Sequence, residues 1–288
     1  MRAMPASPAI NVPRSPGIVS SLRKYGRILR ISLIERMVYR ADFMVSTVFR
    51  FLPLITTLLL WQAVFYSSGR TELSGFTEHQ MIAYLLLVQI SRMFSSMPGL
   101  AAGIARDIRD GSLKKYLLQP INMIAYLLSY RAAHKMTYIL TTSLPYGVLF
   151  FLCRDSFERL PDVTTFLAYL VSLILGFLLG FFFEAMIGMV GFWFLEVTSF
   201  LYVINTLNFF VSGQMFPLDL LPSGWAEVLK ALPFKYLAYF PATIFLGKVQ
   251  GMDLVYGLLI EVAWVVTFLI LARWLYARGL RRYSAYGG

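Results

Sequence analysis

Residues 105–120 read ARDIRDGSLKKYLLQP, and six of them, Arg106, Asp107, Arg109, Asp110, Lys114 and Lys115, are charged, with long apolar runs on both sides. Asp110-Gly111-Ser112 is a turn signal. Upstream, Ala101, Ile104 and Ile108 recur at helical spacing; downstream, Leu113, Tyr116, Leu117 and Pro120 do the same. The stretch therefore reads as two amphipathic pieces hinged at Gly111. One face suits protein or lipid, and the other presents Arg106, Asp107, Arg109 and Lys114. A loop that only set membrane sidedness would need lysine and arginine, but neither aspartates nor this periodicity.

The surrounding chain explains why such an island stands out. Of its 288 residues 58% are hydrophobic and only 14% charged, whereas a soluble domain is roughly half apolar and one quarter charged. Composition thus selects an integral membrane protein. The net charge of +11 does not indicate nucleic acid, because the charges flank apolar runs and form no stripe with aromatics. The single cysteine, Cys153, can form neither an internal disulfide nor a metal cluster, and His79 and His134 are far apart, so no metal site is expected. Residues 1–17 are proline-rich, lack the apolar core of a signal peptide, and read as a disordered cytosolic tail.

Crossing about 30 Å of hydrocarbon takes roughly 20 apolar residues. Six segments qualify, at about 43–66, 79–99, 124–152, 163–190, 197–213 and 251–275. Of the 26 lysines and arginines, 18 fall before Phe43, between the second and third segments or at the start of the third (Arg131 and Lys135), or at the C-terminal end from Arg273 on; six fall in the opposite loops, against eight acidic residues there. The excess marks the cytosolic side, so both termini and the island are expected to face the cytosol. Residues 18–42 place apolar positions at helical spacing opposite Arg23, Lys24, Arg27 and Arg30. That pattern predicts an interfacial helix on an anionic membrane surface, the alternative being a helix packed on protein. Residues 212–250 are apolar but broken by Pro217, Pro222, Pro233 and Pro241, which forbids one spanning helix. Two short re-entrant helices are expected, at about 223–232 and 236–246.

ERMVYRADF (35–43), DGSLKKYLLQPIN (110–122), SGQMFPLDLLPSGWAEVLKALPFKYLAYFPATIFLGK (212–248) and RGLRRYSAYGG (278–288) follow one another in a distinctive order. Together they resemble the membrane subunit of an ABC type-2 exporter, in a poorly characterised subgroup often found as two related permeases served by one ATPase. The resemblance implies an all-α six-helix transmembrane domain (43–277) after the interfacial helix, with a cytosolic tail at 278–288, in the cytoplasmic (inner) membrane. It implies a partner permease, identical or sister, and a separate ABC ATP-binding subunit carrying ATP and Mg; no cofactor is expected on this chain, which has no G-x-x-x-x-G-K-[ST] phosphate loop. It makes residues 105–120 the coupling helix, with Arg106, Asp107, Arg109, Asp110, Gly111, Leu113, Lys114, Leu117 and Pro120 facing the ATPase. It also makes the second and fifth segments line the path.

Gln89, Arg92 and Ser96 in the second segment, and Tyr202, Asn205, Asn208 and Phe209 in the fifth, are the candidate path residues, polar glue between helices being the alternative. Arg50, Arg92, Glu184 and Glu196 are expected either to form an inner-leaflet ion-pair layer or to snorkel separately. Glu261, about ten residues into the sixth segment, is expected to pair with a neighbouring helix or to serve ion coupling. The mostly apolar wall suggests a hydrophobic or amphipathic cargo. The runners-up are an ion-coupled secondary transporter using Glu261 and, with no acid or histidine cluster in its favour, a lipid-modifying membrane enzyme. No residue here is expected to do covalent chemistry.

Overall fold

The computed structural model describes residues 18–38, 40–157, 161–194 and 196–283, without the side chains of 18–22, 36–48 and 50. The expected tail at 1–17, the end of the C-terminal tail (284–288) and the Arg50 side chain lie outside the described residues.

The chain is mostly helical. The helices are α1 (Ile18–Val38), α2 (Arg40–Ser68), α3 (Glu78–Ser95), α4 (Leu100–Arg109), α5 (Lys114–Leu117) and α6 (Met123–Leu152), then α7 (Val163–Gly188), α8 (Thr198–Val211), α9 (Ser223–Ala231), α10 (Tyr239–Phe245) and α11 (Gly251–Leu280). A two-residue hairpin, β1 (Glu72–Leu73) against β2 (Phe76–Thr77), joins α2 to α3. Its Ser74-Gly75 turn has both φ angles positive, the geometry that matches strand twist. Polar caps fix the helix starts: Thr77 accepts from the Gln80 N–H, Asn122 from Ala125 and Asp162 from Thr164, satisfying donors a helix leaves open.

Among the described residues, four stretches are long and apolar enough to cross a membrane: Phe51–Ser68, Glu78–Arg109, Val163–Phe192 and Gly251–Leu280. The helix α6 has 30 residues, but Arg131, His134 and Lys135 lower its apolar content. The 14 residues of α8 span only about 21 Å at 1.5 Å per residue.

The hub is α7, which packs against α3, α4, α10 and α11. Glycines set those distances. A Cβ at Gly180 would lie 2.0 Å from the Ser95 carbonyl oxygen, and one at Gly188 2.7 Å from that of Ala101. The missing side chains let backbone meet backbone, as in tightly packed membrane helices.

Three elements refine the sequence expectation. The second segment is not one helix to residue 99: it stops at Ser95 and restarts at Leu100. Pro98 disfavours helix at the residue before it, and Gly99 takes φ 73°. The proline-broken segment holds the two short helices expected, α9 and α10, but a 3-10 turn at Pro233–Leu237 precedes the second, which starts at Tyr239 and not at 236. Finally, α1 lies along α6, the packing on protein that the sequence reading holds as its alternative to a membrane surface. Lys24 Nζ donates to the Pro120 carbonyl at 2.7 Å, and the Asn122 N–H donates to Tyr25 Oη at 3.1 Å. Arg23, Arg27 and Arg30 remain exposed, as do the apolar Ile31 and Ile34.

Candidate functional site

The break between α3 and α4 creates a polar cavity. A helix that ends inside a packed bundle leaves carbonyls without partners, and α6 supplies them. Lys135, itself buried, donates to the Met93 carbonyl at 2.5 Å and to Ser96 Oγ at 3.5 Å; Arg131 donates to the Pro98 carbonyl at 3.0 Å. Both cations count only towards sidedness in the sequence. Here they hold the bend open.

Beside the bend lies a cavity of about 580 Å³ lined by Gln89, Arg92, Ser96, Glu184, Asn205 and Gln214, with Tyr138, Tyr146, Met93 and Pro53 completing the wall. Four of the seven path candidates, Gln89, Arg92, Ser96 and Asn205, thus share one space. The other three do not line it: Asn208 is buried elsewhere with its Oδ1 unpartnered, Tyr202 is 74% exposed and Phe209 39% exposed. The wall is also more polar than the sequence suggested, because Glu184 and Gln214 join it. Gln214 is set there by Gly213, whose positive φ turns the chain after α8 and whose carbonyl accepts from Tyr84 Oη at 2.5 Å.

Of the three proposed layer charges whose side chains are described, Arg92 and Glu184 come together. They share the cavity without forming an ion pair within 4 Å; Arg92 Nη1 reaches Ser95 Oγ at 3.4 Å. Glu196 sits apart, exposed at the start of α8, where its Oε1 accepts from the Thr198 N–H at 2.7 Å. The Thr198 hydrogen bonds hold its carboxyl below the ordinary range. Arg92→Glu would place two half-buried carboxylates on one cavity, where they repel, and folded yield by gel filtration is expected to collapse. Adding Glu184→Arg restores it in part; adding Glu196→Arg does not.

Glu261 is fully buried on α11. Ser172 Oγ donates to its Oε2 at 2.9 Å, while Oε1 and the Tyr236 hydroxyl have no hydrogen-bond partner. Glu261→Gln keeps the Ser172 bond and is expected to change stability by less than about 1 kcal/mol. Glu261→Leu, which strands Ser172 Oγ, is expected to cost about 1–3 kcal/mol, read as the melting temperature in detergent.

The residues around Gly111 form the second candidate site. Gly111 takes φ 72° between α4 and α5. Asp107 closes the hinge: its carbonyl accepts from the Leu113 N–H at 2.9 Å, and its carboxylate pairs with Lys115 at 2.8 Å. Partial burial opposes the Lys115 charge, but the hydrogen bond and charge of Asp107 outweigh it and hold the ammonium above its ordinary value. Ala101, Ile104, Ala105, Ile108 and Leu113 are buried, so Leu113 anchors the unit and is not available to a partner. The open face presents Arg106, Arg109, Asp110, Lys114, Leu117, Leu118 and Pro120. Leu118, 83% exposed, went unnoticed in the sequence because it follows Leu117 on an apolar run. With α1 tied to Pro120 and Asn122, and Gly188 and Gly191 seated on α4, the unit is joined to the bundle on two sides.

A protein-family model described as ABC-2 family transporter protein matches residues 51–287. No curated protein sequence matches the chain.

Proposed function

From the premise that the chain belongs to the ABC-2 transporter family, we propose that it is the permease half of an ATP-driven exporter moving an amphipathic cargo. Membership of that family supports reading it as a multi-pass membrane transport subunit that works with an ATP-binding partner and is not itself an enzyme. In this reading α6 and α8 join the four long apolar stretches to give six spans, with both termini in the cytosol and the chain in the cytoplasmic (inner) membrane. The partner ATPase holds ATP and Mg. A second permease, identical or sister, covers the exposed apolar faces of α2 and α8, which include Leu52, Ile55, Leu59, Val203 and Phe210.

The observation that carries the proposal is the open charged and apolar face around Gly111, fixed to the spans by α1 and by Gly188. When ATP closes the partner subunits, a push on α4 passes to α7 through those glycine contacts. It continues to the bend at Ser95, whose Oγ donates to the Leu237 carbonyl at 2.7 Å. The bend forms one wall of the polar cavity, so its movement changes access to Gln89, Arg92 and Asn205. ATP shifts this equilibrium only by binding one state of the assembly better than the other. The mixed wall of charge, amide and aromatic groups suits a cargo with a polar head and an apolar body.

Affinity purification of the full chain from its native membranes tests the reading. An ABC ATP-binding subunit is expected to co-elute and to hydrolyse ATP, and reconstituted vesicles are expected to transport only with ATP. Proton-driven flux without ATP, abolished by Glu261→Gln, would instead favour the ion-coupled reading that the unpartnered Glu261 oxygen keeps in view. Lipid turnover by the partner-free chain would make it an enzyme.

A further inference from the structure

Lys230, Lys235 and Lys248 are three of the six lysines and arginines on the side that charge counting places outside. Membrane proteins keep such residues scarce on that side, yet these three converge on one cavity of about 550 Å³. Its walls are the Pro233–Leu237 turn, the β1–β2 hairpin and the first turns of α11.

The three lysines are not equivalent. Lys230 is neutralised by Asp219 at 2.5 Å, and Tyr239 Oη donates to the other Asp219 oxygen at 2.8 Å. Lys248 is held at the rim, donating to the Gly75 carbonyl and lying 3.8 Å from the centre of the Phe76 ring. Lys235 is half-buried, 4.9 Å from the Tyr236 ring centre. No carboxylate lies within 4 Å of its ammonium among the described residues. Asp253 stands on the α11 wall. The floor is the Phe240 ring, which presses so close to α11 that a Cβ at Gly257 would lie 2.3 Å from it. Tyr256 and Ile260, 57% and 48% exposed, carry the wall outward as an apolar strip along α11.

A half-buried ammonium with no carboxylate within 4 Å among the described residues at the inner end, the partnered Lys248 ammonium at the rim and an apolar exit along α11 match a phosphate-headed amphiphile. Basic pockets beside membrane helices bind anionic headgroups in this way. We infer that this cavity binds an anionic phospholipid of the outer leaflet, its phosphate between Lys235 and Lys248 and its chains along Tyr256 and Ile260. Asp253 favours a headgroup with hydroxyl donors, such as glycerol. The assignment of leaflet rests on the orientation proposed above; the chemistry of the cavity does not.

The full chain, purified in mild nonionic detergent, is tested by native mass spectrometry against dioctanoyl-phosphatidylglycerol, dioctanoyl-phosphatidylcholine and inorganic phosphate. The glycerol lipid is expected to bind about tenfold more tightly than the choline lipid. K235Q/K248Q is expected to weaken it by about tenfold or more, since two charge-assisted contacts are lost. R154Q, on the same side but outside the cavity, leaves binding unchanged. Equal binding of the two lipids, or a folded double variant that binds like the parent, overturns the site. Phosphate binding as tight as the glycerol lipid makes it a free-anion site and overturns the lipid assignment. Should the double variant fail to fold, K235Q alone decides by the same criterion. Impermeant maleimide on D253C in a C153S background judges the leaflet separately: labelling from outside supports it, and labelling only from the cytosol overturns it together with the orientation.

Discussion

Replacing Gly180 with alanine is expected to remove most folded protein from the membrane, whereas Gly147→Ala leaves it intact. Both glycines are helical, so intrinsic propensity favours alanine at each by roughly 0.5–1 kcal/mol. Space decides the difference. At Gly147 nothing lies within 4 Å of the added carbon, while at Gly180 it would sit 2.0 Å from the Ser95 carbonyl oxygen and 3.0 Å from its carbon. Backbone cannot swing aside as a side chain can. The helices must part, and Ser95 also holds the Leu237 carbonyl, so the bend and the Pro233–Leu237 turn lose their seat together. Overpacking of this kind costs about 3 kcal/mol, seen as a large fall in melting temperature in detergent and in folded yield. Gly188→Ala, 2.7 Å from the Ala101 carbonyl oxygen, is expected to behave similarly. A Gly180→Ala protein as stable as its parent would show that α3 and α7 slide freely, and the transmission path through Ser95 would fail with it.

What the sequence made legible was local. Two helical periodicities met at Asp110-Gly111-Ser112, and both the periodicity and the turn signal lie within a few residues of each other. The prolines at 217, 222, 233 and 241 forbade a continuous helix by the same short-range logic. What stayed hidden depended on distant partners. The break at 96–99 carries its own markers, Pro98 and Gly99, but they sit in an apolar run that hydropathy reads as one span. Lys135 holds that break from 42 residues away, and no pattern in either segment names the other. The apolar stripe of α1 suits lipid and protein equally, so its docking on α6 was not written in α1. Helical spacing puts Tyr202, Asn205 and Phe209 on one face of α8, but it does not say how far along that face the cavity reaches: Asn205 lines it, while Tyr202 and Phe209, about one turn to either side, stay outside it. Glu184 and Glu196 looked alike as span-end charges; tertiary packing put one in the cavity and left the other capping a helix.

Leu118→Asp combined with Arg109→Glu is expected to abolish co-purification of the ATP-binding subunit without changing the fold. Both side chains are exposed: Leu118 at 83%, and Arg109 pairing with its neighbour Asp110 at 3.2 Å, a surface pair worth little. Their loss therefore costs the monomer almost nothing. An interface has no such tolerance. An apolar residue flanked by Arg106, Arg109 and Lys114 is the pattern of a buried anchor with a polar rim, and each lost anchor costs about 2 kcal/mol or more, or about thirtyfold in affinity. Reversing the arginine adds like-charge repulsion against whatever acidic surface it met. The contrasting variant is Leu113→Ala. Leu113 is fully buried, so that change is expected to cost about 2–5 kcal/mol of stability through a cavity while leaving the docking chemistry in place. If instead the double variant retains its ATPase and the folded Leu113→Ala protein loses it, the partner does not read the open face, and force must enter through α1, where Lys24 and Tyr25 grip residues 120 and 122.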